Sequence, residues 1–384
     1  MRVLICPDKF AGTLSAPEVV AAVIAGWHDT APGDQMVARP LADGGPGFVE
    51  VLASAVAGRR LPVSTVDPLG RPVEGEILIT DLDGAGGGPI AYVESAQACG
   101  LHLLAPDERD PKATTSYGLG LLVAAAVEAG ARRVVIGLGG SATNDAGAGL
   151  LAALGAAPLD ETGHALPYGG AVLAAAASLG GAPRLREVEL VAATDVDNPL
   201  TGLHGASNVY GPQKGASRED VLLLDSALER FAVVLERELS TCPPELAALP
   251  GAGAAGGLGA AILALGGRCE SGIKLVSDMI DLEAALDEAD LVITGEGSFD
   301  HQSLRGKVVA GIAGAARDRG VPCVVLAGRV STGRREAAAA GVTEAYSLVD
   351  HFGGEEHGGV EQAMTRPAEG LREVSARLAR QWSR

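Results

Sequence analysis

The sequence predicts an α/β protein built from two α/β domains, and three observations carry that expectation. Residues 1–41 run strand, helix, strand, the signature of a parallel sheet covered by helices. Residues 286–384 have the same texture, with short apolar runs alternating with helical patterns. The material between them differs: it opens on a hairpin pattern around PLGRP and continues through long Ala-rich stretches. The predicted arrangement is therefore discontinuous, with 1–58 plus 286–384 as one domain and 59–285 inserted as the second. A cleft between two such domains is where a ligand is expected. The length of 384 residues agrees, since single cores rarely grow that large.

Each element has a local reason. Residues 2–6 are a short β-favouring run that Pro7 ends. Ser15 and Glu18 then make a capping box, with Pro17 in the first turn, and start a helix reaching about Trp27. Residues 35–41 read as a second strand running into LADGGPG. Residues 61–80 alternate on either side of PLGRP and read as an antiparallel hairpin. Further strands are expected over 91–95, 134–137 and 188–194. Towards the C-terminus, 291–294 reads as a buried strand and a helix starts near Lys307. A strand over 323–327, a short helix over 334–340 and a strand over 344–348 follow. An amphipathic helix over 360–380 closes the pattern.

Composition narrows the function. Hydrophobic residues make up 47% of the chain but aromatics only 3%, so Ala, Val, Leu and 54 Gly must fill the cores. A net charge of −18 argues against nucleic acid or an anionic membrane as partner. It permits an anionic small ligand, because local cations and backbone N–H groups override the global field. Five cysteines without a C-x-x-C point to a reducing compartment, with Cys6 and Cys323 as inert core thiols. No secretory pattern precedes the first strand, and the Gly/Ala run over 250–267 is too short and glycine-rich to span a membrane. The expectation is a cytoplasmic protein. Only five of its 30 basic residues are lysine (Lys9, Lys112, Lys214, Lys274 and Lys307), which suggests lysine is kept where a compact ammonium is required.

Four segments carry candidate chemistry. VVIGLGGSATNDAG (134–147) passes from an apolar run into glycines and then into Ser141, Thr143, Asn144 and Asp145. It formally matches G-x-G-x-x-A, the dinucleotide fingerprint, with Asp160 or Glu161 at the ribose distance. That reading is discounted, because Asp160 lies in a turn-like polar stretch rather than at a strand end. A backbone cradle for phosphate or carboxylate at Gly139 and Gly140 suits the residues better. LADGGPG (41–47) sets Asp43 at a strand end, with Gly44 and Gly45 letting a ligand approach the backbone, or is a simple Asp-Gly turn. VAATDVDNPLTG sets Asp195 and Asp197 past another strand end, where two acids at i, i+2 can hold Mg²⁺ or orient a hydroxyl. Lys214 follows in GPQKG as a candidate phosphate contact. ITGEGSFDHQSLRGKV repeats the pattern with Gly295, Glu296, Asp300 and Lys307, the last near a helix start. The common P-loop and kinase catalytic-loop motifs are missing, as are zinc-like His pairs and hydrolase motifs.

Together these segments resemble the bacterial glycerate kinase family of the type I fold. CPDKFAGTLSA, LADGGPG, GLGGSATNDAG, TDVDNPLTGLHGASNVYGPQKGA, PGAGAAGGLG and GEGSFDHQSLRGK occur in the family's order, between Arg2 and about Gly328. The resemblance implies a flavodoxin- or Rossmann-like domain from both chain ends and an inserted α/β domain. It also implies ATP-dependent phosphorylation of D-glycerate, usually at the 2-hydroxyl, with Mg²⁺. This chain departs from the family's pattern at three places. Where PDSFKG is common it has PDKFAG, with Ala11 in the lysine's place. ADGGEGT becomes ADGGPGF, with Pro46 and Phe48, and Asn-Asp-Gly-Gly becomes Asn144-Asp145-Ala146-Gly147. These departures keep a related hydroxy acid, or 3-phosphoglycerate as product, in view beside glycerate 2-phosphorylation.

On this reading Asp8, Asp43, Gly44, Gly45, Ser141, Asn144 and Asp145 surround the hydroxy acid. Asp195 orients or deprotonates its hydroxyl, Lys214 or Lys307 meets phosphate, and Gly139, Gly140, Gly295 and Glu296 serve the nucleotide. Asp195 and Asp197 are the metal candidates. The expected partners are a small hydroxy acid and a nucleotide, acting on a monomer or homodimer. An NAD-dependent redox enzyme and a non-catalytic acid-binding protein are the competing readings.

Overall fold

The computed structural model describes residues 1–81, 88–301, 303–304 and 308–383. Its tertiary contacts divide the chain into two compact units. One comprises Met1–Ala42, Glu50–Val56 and Ile273–Arg384; the other comprises Asp43–Val49 and Ala57–Gly272. The helix Leu282–Asp287 and nearly all of Gly272–Met279 thus go with the chain ends, ahead of the expected return at 286. LADGGPG goes mostly with the insert, from Asp43 onward.

The unit of the chain ends has five strands, all parallel, in the order Gln35–Ala38, Arg2–Ile5, Leu291–Phe299, Cys323–Val330, Glu344–Ser347. Numbered within the unit this is 2-1-3-4-5, the flavodoxin-like order. The strand expected over 291–294 runs on to Phe299, because Cys323–Val330 supplies partners as far as Phe299↔Val330. The first helix, Ala16–His28, starts as expected: the Ser15 N–H donates to Glu18 Oε2 at 2.8 Å. Its Val19, Val23 and Trp27 share a core with Leu371, Val374 and Leu378, each such aliphatic burial contributing about 1.5–3 kcal/mol. Gly26 lets the helices approach, since a Cβ there would lie 2.0 Å from the Arg372 carbonyl oxygen. The helix expected over 360–380 is instead two, Gly359–Thr365 and Pro367–Trp382. Pro367 disfavours helical geometry in the residue before it, and Arg366 sits at φ −131°, ψ 42°.

The insert has a six-stranded mixed sheet in the order Arg268–Glu270, Glu189–Ala193, Arg133–Gly137, Ile90–Glu94, Pro72–Thr80, Arg59–Val66. The first four pair in parallel, and Pro72–Thr80 pairs antiparallel with both of its neighbours. The hairpin turn is fixed by buried Asp67, whose Oδ1 accepts from the Leu69 and Arg71 N–H groups at 2.8 and 2.9 Å. Helices Tyr117–Glu128, Arg218–Glu238 and Ala254–Ala264 contribute Leu119, Leu122, Phe231 and Leu258 to a core with Val134, Ile136 and Leu190. Cys6 and Cys323 are free and wholly buried. Among the described residues no helix is long and apolar enough to cross a membrane.

Candidate active site

In the insert, the four parallel strands bring their carboxyl ends to one rim, the place where ligands of parallel sheets collect. Backbone bonds knit that rim. Ser95 N–H donates to the Gly137 carbonyl at 3.0 Å, Leu138 N–H to Ala193 at 2.9 Å and Thr194 N–H to Glu270 at 2.9 Å. Asp195 and Asp197 follow Glu189–Ala193 and are exposed. The Ser271 hydroxyl donates to Asp195 Oδ1 at 2.5 Å and so orients its carboxylate. Asp43 is also exposed and accepts from the Gly45 N–H at 3.0 Å. Glu94, 6% exposed, anchors this segment by accepting from Gly47 N–H at 3.0 Å and Val49 N–H at 3.3 Å. Asp43, Gly44, Gly45, Gly139, Gly140 and Asp195 are thus gathered at one sheet edge.

The glycines there serve the protein's own backbone. Gly44 has φ +91°, and a Cβ on it would lie 2.5 Å from the Ala193 carbonyl oxygen. A Cβ on Gly137 would meet the Gly44 oxygen at 2.5 Å, and one on Gly139 would meet Gly45 Cα at 2.7 Å. Gly44 and Gly45, expected to let a ligand approach the backbone, are buried where the segment meets the strand ends. Within 137–147 only Gly139 and Gly140 reach solvent.

The polar side chains that follow form a layer behind that surface. Ser141, Asn144 and Asp145 are 5%, 0% and 1% exposed. Asp145 accepts from the Ser116 N–H and hydroxyl at 2.9 and 2.8 Å, and from the Gly147 and Gly149 N–H groups, both at 3.2 Å. Burial raises its carboxyl above the ordinary range, and those donors oppose the shift. Asn144 Nδ2 donates to Ser207 Oγ at 2.9 Å. Lys214 is 2% exposed, and its Nζ donates to Ser141 Oγ at 2.9 Å and to the Thr143 carbonyl at 2.7 Å. Burial lowers this ammonium to about 7, against the pull of Asp145 and Cys99. The predicted substrate-binding roles of Ser141, Asn144 and Asp145, and the phosphate role of Lys214, meet side chains turned into the protein. Polarity in a sequence does not tell inward from outward.

The unit of the chain ends holds the remaining candidates. Asp8 N–H donates to the Gly295 carbonyl at 2.8 Å, and Asp8 Oδ1 accepts from the Lys9 N–H at 2.7 Å. Gly295 and Glu296 are not in a loop but inside Leu291–Phe299, paired with Leu326 and Ala327. Asp8 and Gly295 lie where the 2-1-3-4-5 order reverses, the switch point of such sheets. Lys307 lies outside the described residues. Among the described residues no group of three or more His, Cys, Asp or Glu is arranged to hold a metal ion.

The glycerate kinase family model matches residues 3–383. The chain belongs to the glycerate kinase family. Glycerate kinase of Bacillus subtilis is 42% identical over 353 residues, covering 91% of this chain and 90% of that protein. Glycerate 2-kinase of Escherichia coli is 40% identical over 357 residues, covering 92% of each. A crystal structure of a Salmonella typhimurium LT2 protein provisionally named glycerate kinase 2 superposes with a TM-score of 0.79 at 39% identity, covering 99% of this chain and 98% of that one. These relatives show a phosphotransferase of mixed α/β fold.

The departures from the family's motifs have structural places. Phe48 is wholly buried, edge-on to Tyr92 with ring centroids 6.3 Å apart, so it is a core residue. Pro46 packs against Gly140, its Cδ and Cγ 3.0 Å from where a Cβ would stand. Ala146 sits at φ +47°, a left-handed position suited to the family's glycine. The dinucleotide fingerprint fails on structure too. Asp160 follows Ala157–Leu159, a strand of a separate two-stranded sheet, and accepts from the Thr162 and His164 N–H groups at 2.8 and 3.0 Å as a turn acid. Two rim residues escaped the sequence reading. Glu94 had a signal, a lone charge inside the apolar run IAYVE, whereas Ser271 in ESGIK had none.

Proposed function

We propose that the protein transfers the γ-phosphoryl group of ATP to D-glycerate, giving 2-phosphoglycerate. The observation that carries this reading is the exposed Asp195 on the rim that also bears Asp43, Gly139 and Gly140, in a chain of this family. Phosphoryl transfer asks a protein mainly to position the acceptor and compensate charge. The Gly139–Gly140 backbone, assigned to the nucleotide from sequence, here receives the glycerate carboxylate, and Asp43 holds a hydroxyl; Asp8 enters on the sequence resemblance alone. Asp195, held in orientation by Ser271, accepts the proton of the attacking hydroxyl. The hydroxyl oxygen bonds to the γ-phosphorus as the bond to the β,γ-bridging oxygen breaks, and ADP leaves. Gly295, Glu296 and Lys307 enter as the nucleotide-binding set on the sequence resemblance alone.

Mg²⁺ takes one or two carboxylates together with phosphate oxygens and water. Asp195 and Asp197, exposed hard-oxygen donors at i, i+2, fit that pattern and would hold it. When bound, the ion neutralises charge on the phosphates. The reading sets the enzyme in the cytoplasm, as a monomer or homodimer.

Incubation with ATP, Mg²⁺ and D-glycerate, followed by phosphorus NMR of the product, tests the proposal. A phosphate on the 2-oxygen is expected. A 3-phosphate corrects the regiochemistry, and no phosphorylated glycerate removes the reading.

A further inference from the structure

Lys214 is a buried ammonium that the proposed reaction does not use. It ends the short helix Pro212–Lys214, and Gly215 turns the chain away at φ +99°. Burying an ammonium is costly unless the structure gains from it. Two of its three N–H donors are committed to Ser141 Oγ and the Thr143 carbonyl, and the residue is 2% exposed, so it is turned away from any phosphate in solution. Asp145, the neighbouring carboxylate, is itself occupied by four donors.

What the ammonium grips is the far side of the turn whose near side is Gly139 and Gly140. Those two residues have no side chains with which to fix their own conformation, so neighbours must impose it. Residues 99–101 hold one flank: Leu101 N–H donates to the Gly140 carbonyl at 2.8 Å, and Ala142 N–H to Cys99 at 2.7 Å. Ala146 N–H donates to the Gly256 carbonyl at 3.1 Å further along. Between these ties the Ser141 backbone bridges to Gly100 and the Thr114 hydroxyl donates to the Ala142 carbonyl at 3.0 Å, while Lys214 adds the hold on the Ser141 side chain and the Thr143 carbonyl.

We propose that Lys214 is a positioning residue: by gripping Ser141 and Thr143 it fixes the exposed Gly139–Gly140 backbone in the shape that receives the substrate's anionic end. The inference rests on the phosphotransfer reading above. A compact ammonium on a flexible stem suits the buried site, whereas a planar guanidinium needs more room and a fork of acceptors. Arginine should therefore fail here, although it would serve well as a direct phosphate contact.

The test combines steady-state kinetics with amide hydrogen exchange on Lys214→Met, Lys214→Arg and Ser141→Ala. Expected are faster exchange over 139–145 in all three and a fall of about tenfold or more in kcat/KM for glycerate in Lys214→Met. The KM for ATP should stay within about twofold, since nucleotide contacts are left alone, and Lys214→Arg should not rescue turnover. Restored turnover in Lys214→Arg, or a rise confined to the KM for ATP, would make Lys214 a direct anion ligand and overturn the proposal. Unchanged exchange over 139–145 would do the same. Should Lys214→Met not fold, Ser141→Ala, which deletes one acceptor, carries the test, and wild-type kcat/KM in it is the overturning result. Faster exchange in the variants of a wild type that phosphorylates no glycerate would uphold the grip on the loop and overturn the phosphotransfer reading alone.

Discussion

Two glycine-rich strand ends in this molecule share a sequence texture and have opposite structures. At 133–140 an apolar run enters Gly137, Gly139 and Gly140, and the strand stops at Gly137. At 291–297 an apolar run enters Gly295 and Gly297, and the strand continues to Phe299. The neighbouring backbone makes the difference. Glu189–Ala193 accompanies the first strand only to Gly137↔Ala193, and residues 43–48 then fill the rim. Cys323–Val330 accompanies the second from Val292 to its end at Phe299. Glycine lets a chain leave a sheet; the partner strand decides whether it does.

The sharpest way to break this comparison is at the rim where the strand stops, which is assigned the chemistry. Asp195→Asn should lower kcat by about 10²-fold or more while the far-ultraviolet circular dichroism stays unchanged. Turnover close to wild type in that variant would take the chemistry away from this rim. Next in size are paired glycine substitutions. Gly44→Ala combines a φ of +91° with a Cβ 2.5 Å from a carbonyl oxygen, and should cost about 2–4 kcal/mol in urea unfolding. Gly297→Ala meets the Ala11 nitrogen at 3.0 Å and Phe10 backbone carbons at 3.5 Å, with no left-handed backbone, and should cost about 1 kcal/mol. Equal costs would mean that the left-handed backbone and close carbonyl at Gly44 add nothing to the looser contact at Gly297.

A smaller effect is read in pH. Lys214 titrates at about 7 in the folded protein against an ordinary 10.5. Between those values the unfolded chain binds the proton and the folded one does not, so stability rises with pH. Wild type should therefore gain on Lys214→Met between about pH 7 and 10.5 and lose that gain as pH falls to 7. Denaturation midpoints across that range measure it, and a constant difference would place the ammonium in a wetter setting. Least of all is Gly311→Ala, in the helix Val308–Asp318, where a Cβ would meet nothing within 4 Å. It should stabilise by up to about 1 kcal/mol, because helix propensity improves without a clash.

The fold was legible wherever the signal was local. The Ser15–Glu18 capping box, the PLGRP hairpin and the starts of the longer strands rest on residues close in sequence, whereas the three-residue strands Ala157–Leu159, Ser178–Gly180 and Arg268–Glu270 went unread. The continuation to Phe299 was not legible, because it depends on a strand that begins at Cys323. The break before Pro367 could have been read, since a proline inside a helical pattern ends it at the preceding residue. Within the site, the strand-end position of Asp195 followed from Glu189–Ala193 before it, whereas Gln35–Ala38 stops well short of Asp43, which goes with the insert instead. The inward turn of Asn144, Asp145 and Lys214 was not legible, since it needs Ser116, Ser207 and the 212–214 helix to arrive from elsewhere. Small-residue motifs announced close approach; they did not say that the approaching group was residues 43–48.

The insertion also has a consequence for biosynthesis. Arg2–Ile5 leaves the ribosome before the inserted unit does, yet one of its two sheet neighbours starts at Leu291. At translation speeds of roughly 5–20 residues per second, Val3, Leu4 and Ile5 wait on the order of tens of seconds for that partner. Meanwhile every strand of the inserted sheet, Arg59 to Glu270, has already been made. The later-starting unit therefore completes its sheet first, and a strand made before it is covered only afterwards.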